Sequence, residues 1–187
     1  MRSLVAGLGV TGLGLLVAAD PCLDPHPEEL ALHEAHETAL VAVHFHTVHG
    51  VTLTEADWER SFGGEVPREI LRDRALTSAR RDRAIQLLAA AHRLGQPLPF
   101  PGFAAHVDAV NQARRAAVQA GQRVYGRVEV TPWILYRYEV DNLRLRLQAQ
   151  FRLRHSDDES AAREVEEAIE EAMLGVPARL ELSSGQN

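Results

Sequence analysis

Five of the nine histidines in this 187-residue chain lie between His33 and His49, and imidazole is the commonest metal-binding and proton-moving side chain. On a helix turning 100° per residue, His33, His36 and His44 fall with Glu37 within about 100° of one another. Imidazoles and a carboxylate on one face are a donor set for zinc or copper. The spacing departs from that of tight sites, because His36 and His44 stand two turns apart and neither H-x-x-x-H nor H-E-x-x-H occurs. His46 and His49 form an i, i+3 pair on a different face. A stripe of half-buried or solvent-facing histidines is the simpler reading of the set, and no cofactor is expected.

The aromatic residues suggest binding chemistry. Trp133, Tyr136 and Tyr138 cluster in sequence, Tyr125 precedes them, and Phe100 and Phe103 lie in the preceding proline-rich loop. One reading places them in the core, which is otherwise built from Leu, Val and Ala because aromatics are 5% of the chain. The other is a groove for the apolar side chains of a peptide, lined by Phe100, Phe103, Tyr125, Trp133 and Tyr136, with Arg137, Arg144 and Arg146 holding its carboxylates. Hydrolytic chemistry has no local support: no G-x-S-x-G occurs, and Ser61, Ser78 and Ser156 have ordinary helix or capping roles. The acids between Glu164 and Glu171 read as a solvated helix face.

Composition narrows the classes further. Apolar residues are 45%, charged residues 25% and the net charge −6, which is ordinary for a folded domain. All 20 basic residues are Arg, a pattern suggesting GC-rich coding bias, and dispersed Arg on an acidic chain argues against nucleic acid as a partner. The one cysteine, Cys22, excludes an internal disulfide and a cysteine zinc cage. Residues 1–19 read as a secretory signal: Arg2, an uncharged run from Leu4 to Ala19, and small residues Val17-Ala18-Ala19 at the cleavage position. Membrane contact is expected only through this segment. Gly7-Leu8-Gly9-Val10-Thr11-Gly12 matches the dinucleotide fingerprint G-x-G-x-x-G, but Pro21 cuts off the helix that motif needs, and no second strand follows.

The remaining chain reads as helices. Leu30, Val41, Phe45 and Val48 share one side of a helix from about Glu28 to His49, with Pro27 at its start and Gly50 at its stop. Thr54-Glu55-Ala56-Asp57 has the form of a helix start that places Trp58 and Phe62 on one face. Pro67 opens the longest helix, striped by Ile70, Leu71, Leu76, Ile85 and Leu88 and ending near Gly95. Further helices are expected over Phe103–Ala120, from Thr131-Pro132 to about His155, and from Ser156, with Glu159 as its box partner, to Leu174. Arg123 to Val130 alternates loosely and reads as a linker along the bundle. The expected fold is all-α, an irregular bundle of about five or six helices, with residues 1–19 a signal, 20–180 the helical domain and 181–187 a loose tail.

Several of these segments resemble one family. Trp58-Glu59-Arg60-Ser61-Phe62-Gly63-Gly64-Glu65-Val66-Pro67-Arg68-Glu69-Ile70-Leu71 leads into Arg74-Ala75-Leu76. Asn111-Gln112-Ala113-Arg114-Arg115, Val124-Tyr125-Gly126 and Tyr136-Arg137-Tyr138 follow, with Leu143-Arg144-Leu145-Arg146-Leu147 last. Their order resembles the helical N-terminal region of SurA-like peptidyl-prolyl isomerases, in the form found in Gram-positive bacteria, over roughly residues 27–160. W-x-x-x-F-G-G-E-x-P is its most specific part. The resemblance implies an extracytoplasmic chaperone whose helical part holds an unfolded or extended polypeptide client. Only 13 residues follow Leu174, whereas a parvulin catalytic domain needs on the order of a hundred, so the isomerase unit is expected to be missing or supplied by a separate subunit. Two classes of function stay open: a peptide-binding module without catalysis, and an enzyme acting on a peptide, either a residual prolyl isomerase or a His- or metal-dependent catalyst.

Overall fold

The computed structural model describes residues 23–154 and 157–175; the expected signal and the tail at 181–187 lie outside them. Among the described residues five α-helices follow in order: α1 Pro27–His49, α2 Pro67–Ala91, α3 Phe103–Gln119, α4 Pro132–Arg152 and α5 Asp158–Met173, with a 3-10 turn at Glu55–Asp57 between α1 and α2. The architecture is the expected all-α multi-helix bundle. Among the described residues no helix is long and apolar enough to cross a membrane.

Helix α2 is the hub, packing against α1, α4 and α5, while α3 leans on α4. Glu29 meets Gln86, His33 meets Asp82, and Val41 and Phe45 meet Leu71. Positions rise along α1 as they fall along α2, so the two helices run antiparallel. Arg137 reaches Asp82 and Arg146 reaches the Leu94 carbonyl just beyond α2, which sets α4 parallel to α2. Arg144 bonds Glu166 and Arg152 bonds Asp158, turning α5 back along α4.

Burial divides into two clusters. The larger takes Ile85, Leu88, Leu135, Val140, Leu147 and Val165, among others, from α2, α4 and α5, with Phe103 and Val107 from α3. The smaller is Val41, Phe45 and Leu71, overlaid by the half-buried Leu53, Trp58, Phe62 and Ile70. At roughly 25 cal/mol per Å2 of apolar surface, fully burying a Phe or Leu side chain stabilises by about 1.5–3 kcal/mol, so each cluster is a substantial stabilising unit.

Several local expectations change. The buried face of α1 is Glu29, His33, Val41 and Phe45; Val48 is 59% exposed and Leu30 only half-buried. Strict four-residue spacing, with polar residues included, describes that face better than its apolar residues alone. Trp58 and Phe62 do not share a helical face. The 3-10 turn ends at Asp57, and Phe62 instead pairs with Glu65 across Gly63-Gly64, both glycines at positive φ. Helix α2 stops before Gly95. Arg93 takes the left-handed position at φ 58, Arg93 N–H donates to the Ala90 carbonyl and Leu94 N–H to the Ala89 carbonyl, which is the Schellman pattern. Gly95 serves close packing instead, since a Cβ there would lie 2.5 Å from Leu143 Cδ2. The N-cap of α5 is Asp157, accepting from Ser160 N–H, one residue beyond the expected Ser156, which lies outside the described residues.

Candidate functional site

The segment between α3 and α4 is held by side chains of α3. Asn111 donates to the Val130 carbonyl and accepts from Val130 N–H, at 3.0 and 2.8 Å. Arg114 donates to the carbonyls of Tyr125 and Arg127. No strand forms between Arg123 and Val130, in keeping with the expected linker, and the amides of Arg123 to Glu129 have no intramolecular acceptor among the described residues. The loop and the two helices enclose a groove of about 750 Å3. Its walls are Val110, Ala113 and Ala117 of α3, Val124 and Tyr125 of the loop, and Ile134 and Tyr138 of α4. Tyr125 is 77% and Tyr138 65% exposed.

Charge at the groove is lopsided. Arg123 lies over the Tyr125 ring at 5.2 Å and Arg127 stands at the rim; neither has a carboxylate partner among the described residues. The one acid lining the groove, Glu139, is engaged by His106 Nε2 at 2.8 Å. An otherwise acidic chain thus presents an apolar trough with a cationic edge.

A second constellation lies where α1, α2 and α4 meet. Tyr136 Oη donates to Glu29 Oε1 at 2.9 Å, Gln86 Nε2 donates to the same oxygen at 2.9 Å, and Leu98 N–H closes on Gln86 Oε1 at 3.0 Å. His33 Nε2 lies 3.1 Å from Tyr136 Oη and 3.5 Å from Asp82 Oδ2. Because Tyr136 gives its proton to Glu29, the chain is complete when His33 is neutral with its proton on Nε2. Arg137 Nη1 grips both Asp82 oxygens at 3.0 and 2.8 Å and Nη2 bonds Asp141. Burial, with help from the Arg137 and His36 charges, pushes His33 down to about 4. Burial likewise raises Asp82 against the opposing pull of Arg137, and drives the Tyr136 phenol up. Glu29 Oε2 and His33 Nδ1 have no hydrogen-bond partner among the described residues. Glu29, His33, Asp82 and Gln86 are buried, and their bonds tie α1, α2 and α4 together.

A third cluster caps α1. His44 Nε2 and His49 Nε2 approach Glu65 Oε2 at 3.1 and 2.9 Å, and the three donor atoms lie within 4.8 Å of one another.

The residues picked from sequence therefore disperse. Of the aromatic set, Tyr125 lines the groove, while Phe103 and Tyr136 are core residues. Phe100 and Trp133 are half-buried against that core, Trp133 stacking on His36 at 4.0 Å. Arg137 is committed to Asp82 and Asp141, and Arg144 to Glu166, a carboxylate it shares with Arg81. The proposed metal set also separates. His33 is in the polar junction, His36 lies on Trp133, Glu37 is half-buried in the same stripe, and His44 turns to Glu65. Sequence reasoning missed Glu29, Asp82 and Gln86, the partnership of His49 with Glu65, and the α3 wall of the groove. The four-residue spacing Glu29, His33, Glu37, Val41, Phe45 was the available signal for the first group.

No family model matches the chain, and no curated protein or solved structure does either.

Proposed function

We propose that this protein is a binding module for an extended polypeptide, which it holds in the α3–α4 groove by contact energy alone. The carrying observation is the groove itself: apolar walls with two solvent-exposed tyrosines, edged by Arg123 and Arg127, which have no acidic partner among the described residues. Its volume lies in the range of pockets that hold small ligands or a few side chains. The unpaired amides of the 123–129 loop can receive carbonyls of an extended chain, as in strand-addition recognition. The ligand this combination favours is a segment with apolar side chains and a carboxylate, from Asp, Glu or a chain terminus. The SurA-like resemblance, carried by W-x-x-x-F-G-G-E-x-P, and the signal-like residues 1–19 support an extracytoplasmic holding role for such clients.

The test is anisotropy of a labelled peptide that alternates apolar residues and ends in Glu-Glu, run beside suppression of aggregation of an unfolded protein. Ile134→Asp with Tyr138→Ala changes only exposed groove residues and should weaken binding at least ~10-fold, about 1.4 kcal/mol, with the melting temperature held. A peptide that binds the double variant as tightly as the wild type, or does not bind the wild type at about 100 μM, near −5.5 kcal/mol, overturns the proposal.

A further inference from the structure

Helix α1 ends on Gly50 in the left-handed conformation, φ 67, and in its last turns His44 and His49 stand five residues apart. That spacing places them on no common helical stripe. A third element brings their ring nitrogens together. Residues 62–65 form a hairpin closed by reciprocal bonds, Phe62 N–H to the Glu65 carbonyl at 2.8 Å and Glu65 N–H to the Phe62 carbonyl at 3.0 Å. Both central residues are glycines at positive φ, +61 and +93, as the tightest hairpin turns require. The hairpin returns the Glu65 carboxylate to the helix end, where one oxygen faces both imidazoles.

The rings are held from behind. His44 packs edge-on to Phe45 at 5.4 Å, and His49 lies against Phe45 at 5.1 Å between centroids. Gly63 leaves room for His49: a Cβ there would stand 3.0 Å from His49 Cε1. A glycine turn, a buried phenylalanine and a helix terminus thus converge on orienting three donor atoms. Glu65 meets both rings through one carboxylate oxygen, and an ordinary carboxylate is already anionic at neutral pH.

We propose that His44 Nε2, His49 Nε2 and Glu65 Oε2 form a binding site for a divalent ion of the zinc class. Ligands at zinc distances of about 2.0–2.2 Å in a tetrahedron lie about 3.3 Å from one another. The two O···N separations, 3.1 and 2.9 Å, would open by a few tenths of an ångström to meet that, and the two Nε2 atoms, within 4.8 Å of each other, would settle at the same spacing. Two histidines and one carboxylate are the protein ligands of open zinc sites, with water completing the shell. All three side chains retain access to solvent, at 25%, 18% and 43%, so an ion and its water can enter. Binding requires each Nε2 to present its lone pair, the proton moving to Nδ1. A bound ion would then clamp the hairpin over the smaller apolar cluster, joining Glu65 to α1 by coordination in place of hydrogen bonds.

The test uses the full chain stripped by chelator, titrated with Zn2+ against a chromogenic competitor and with Co2+ by visible absorption. The expected result is one equivalent bound, tetrahedral Co2+ bands between about 500 and 700 nm, and a melting temperature that rises with Zn2+ concentration. His44→Ala and His49→Ala should each weaken binding by about 100-fold, while His46→Ala, an exposed histidine in the same stretch, leaves it unchanged. Glu65→Gln keeps the shape of the side chain and its contacts, so it should fold normally, as far-UV dichroism can verify, yet lose affinity. Wild-type protein that takes up no Zn2+ at about 100 μM, near −5.5 kcal/mol, overturns the site. So does a His44→Ala/His49→Ala variant that binds as the wild type does, which would place the ion on other histidines.

Discussion

Near its C-terminal end α1 meets α2 through Val41, Phe45 and Leu71, hydrocarbon against hydrocarbon. Near its N-terminal end the same two helices meet through Glu29, His33, Asp82 and Gln86, polar side chains with almost no access to water. The apolar contact is non-directional and scales with area, so a neighbouring register would keep much of it. The polar contact is directional: a shift of one turn would separate Gln86 from Glu29 and Asp82 from His33, leaving each buried group short at about 1–3 kcal/mol apiece. One end supplies adhesion and the other supplies register. Tyr136 and Arg137 extend the second role to α4, since both insert into the same network.

The largest effect expected from this contrast is at the adhesive end. Phe45 is fully buried and touches Phe62 and His49, so Phe45→Ala should cost about 3–5 kcal/mol, a large share of a typical stability of roughly 5–15. Trp58→Ala should cost clearly less, because its ring is only half-buried and is covered in part by Arg68. Urea unfolding measures both. Equal losses would mean that the hairpin region, not the helix pair, carries the smaller cluster.

A smaller loss is expected at the register end, with a different signature. Gln86→Leu removes one donor to Glu29 and the acceptor for Leu98 N–H, at about 2–3 kcal/mol for the two buried groups left short. Replacing Glu29 and Gln86 together by Leu removes both halves of that pair, and apolar substitution of a buried polar pair is often near neutral, although Leu98 N–H and Tyr136 Oη still lose their acceptors. The double variant should therefore recover part of the lost stability while its near-UV dichroism or amide dispersion weakens, reporting a less uniquely packed α1–α2–α4 junction. Full recovery with native-like spectra would show that the network does not specify register.

The same contrast explains what was legible in the sequence. Helix existence and starts followed from local chemistry: Pro27, Pro67 and Pro132 sit at first helical positions, and Thr131 caps Ile134 N–H. Apolar periodicity found Leu71, Ile85 and Leu88 because hydrophobic burial leaves a compositional trace. The polar junction leaves none, since Glu29, Asp82 and Gln86 look like surface residues until three helices converge on them. The aromatic cluster was visible, but its two fates were not: Tyr136 is taken into the network by its hydroxyl, whereas Tyr138, two residues on, points away from it and lines the groove. The His44–His49–Glu65 cluster was hidden for a third reason. Its ligands come from a non-stripe helical spacing and a hairpin whose glycines read only as a chain break.

The smallest expected effect is the most specific to the register end, because it turns on one proton. Burial holds the folded His33 imidazole down to about 4, against an ordinary value near 6.5. Between those values the unfolded chain binds a proton that the folded chain refuses, so stability is intact above about pH 6.5 and falls as the pH drops toward 4. The slope for one proton is at most about 1.4 kcal/mol per pH unit, and between pH 6 and pH 5 the loss should be about 1 kcal/mol. Asp82 works in the opposite sense, since burial raises its carboxyl and acidification relieves that penalty. Arg137 stays charged throughout and keeps Asp82 paired. Comparing wild type with His33→Gln retains Asp82 and Arg137 in both proteins and removes only the titrating ring. Denaturant unfolding at pH 6 and pH 5 should show the wild type losing about 1 kcal/mol more than the variant. If the two lose the same amount, protonation of some other histidine or carboxylate sets the acid sensitivity. The neutral Nε2–H imidazole would then lose its place as the middle link between Asp82 and Tyr136.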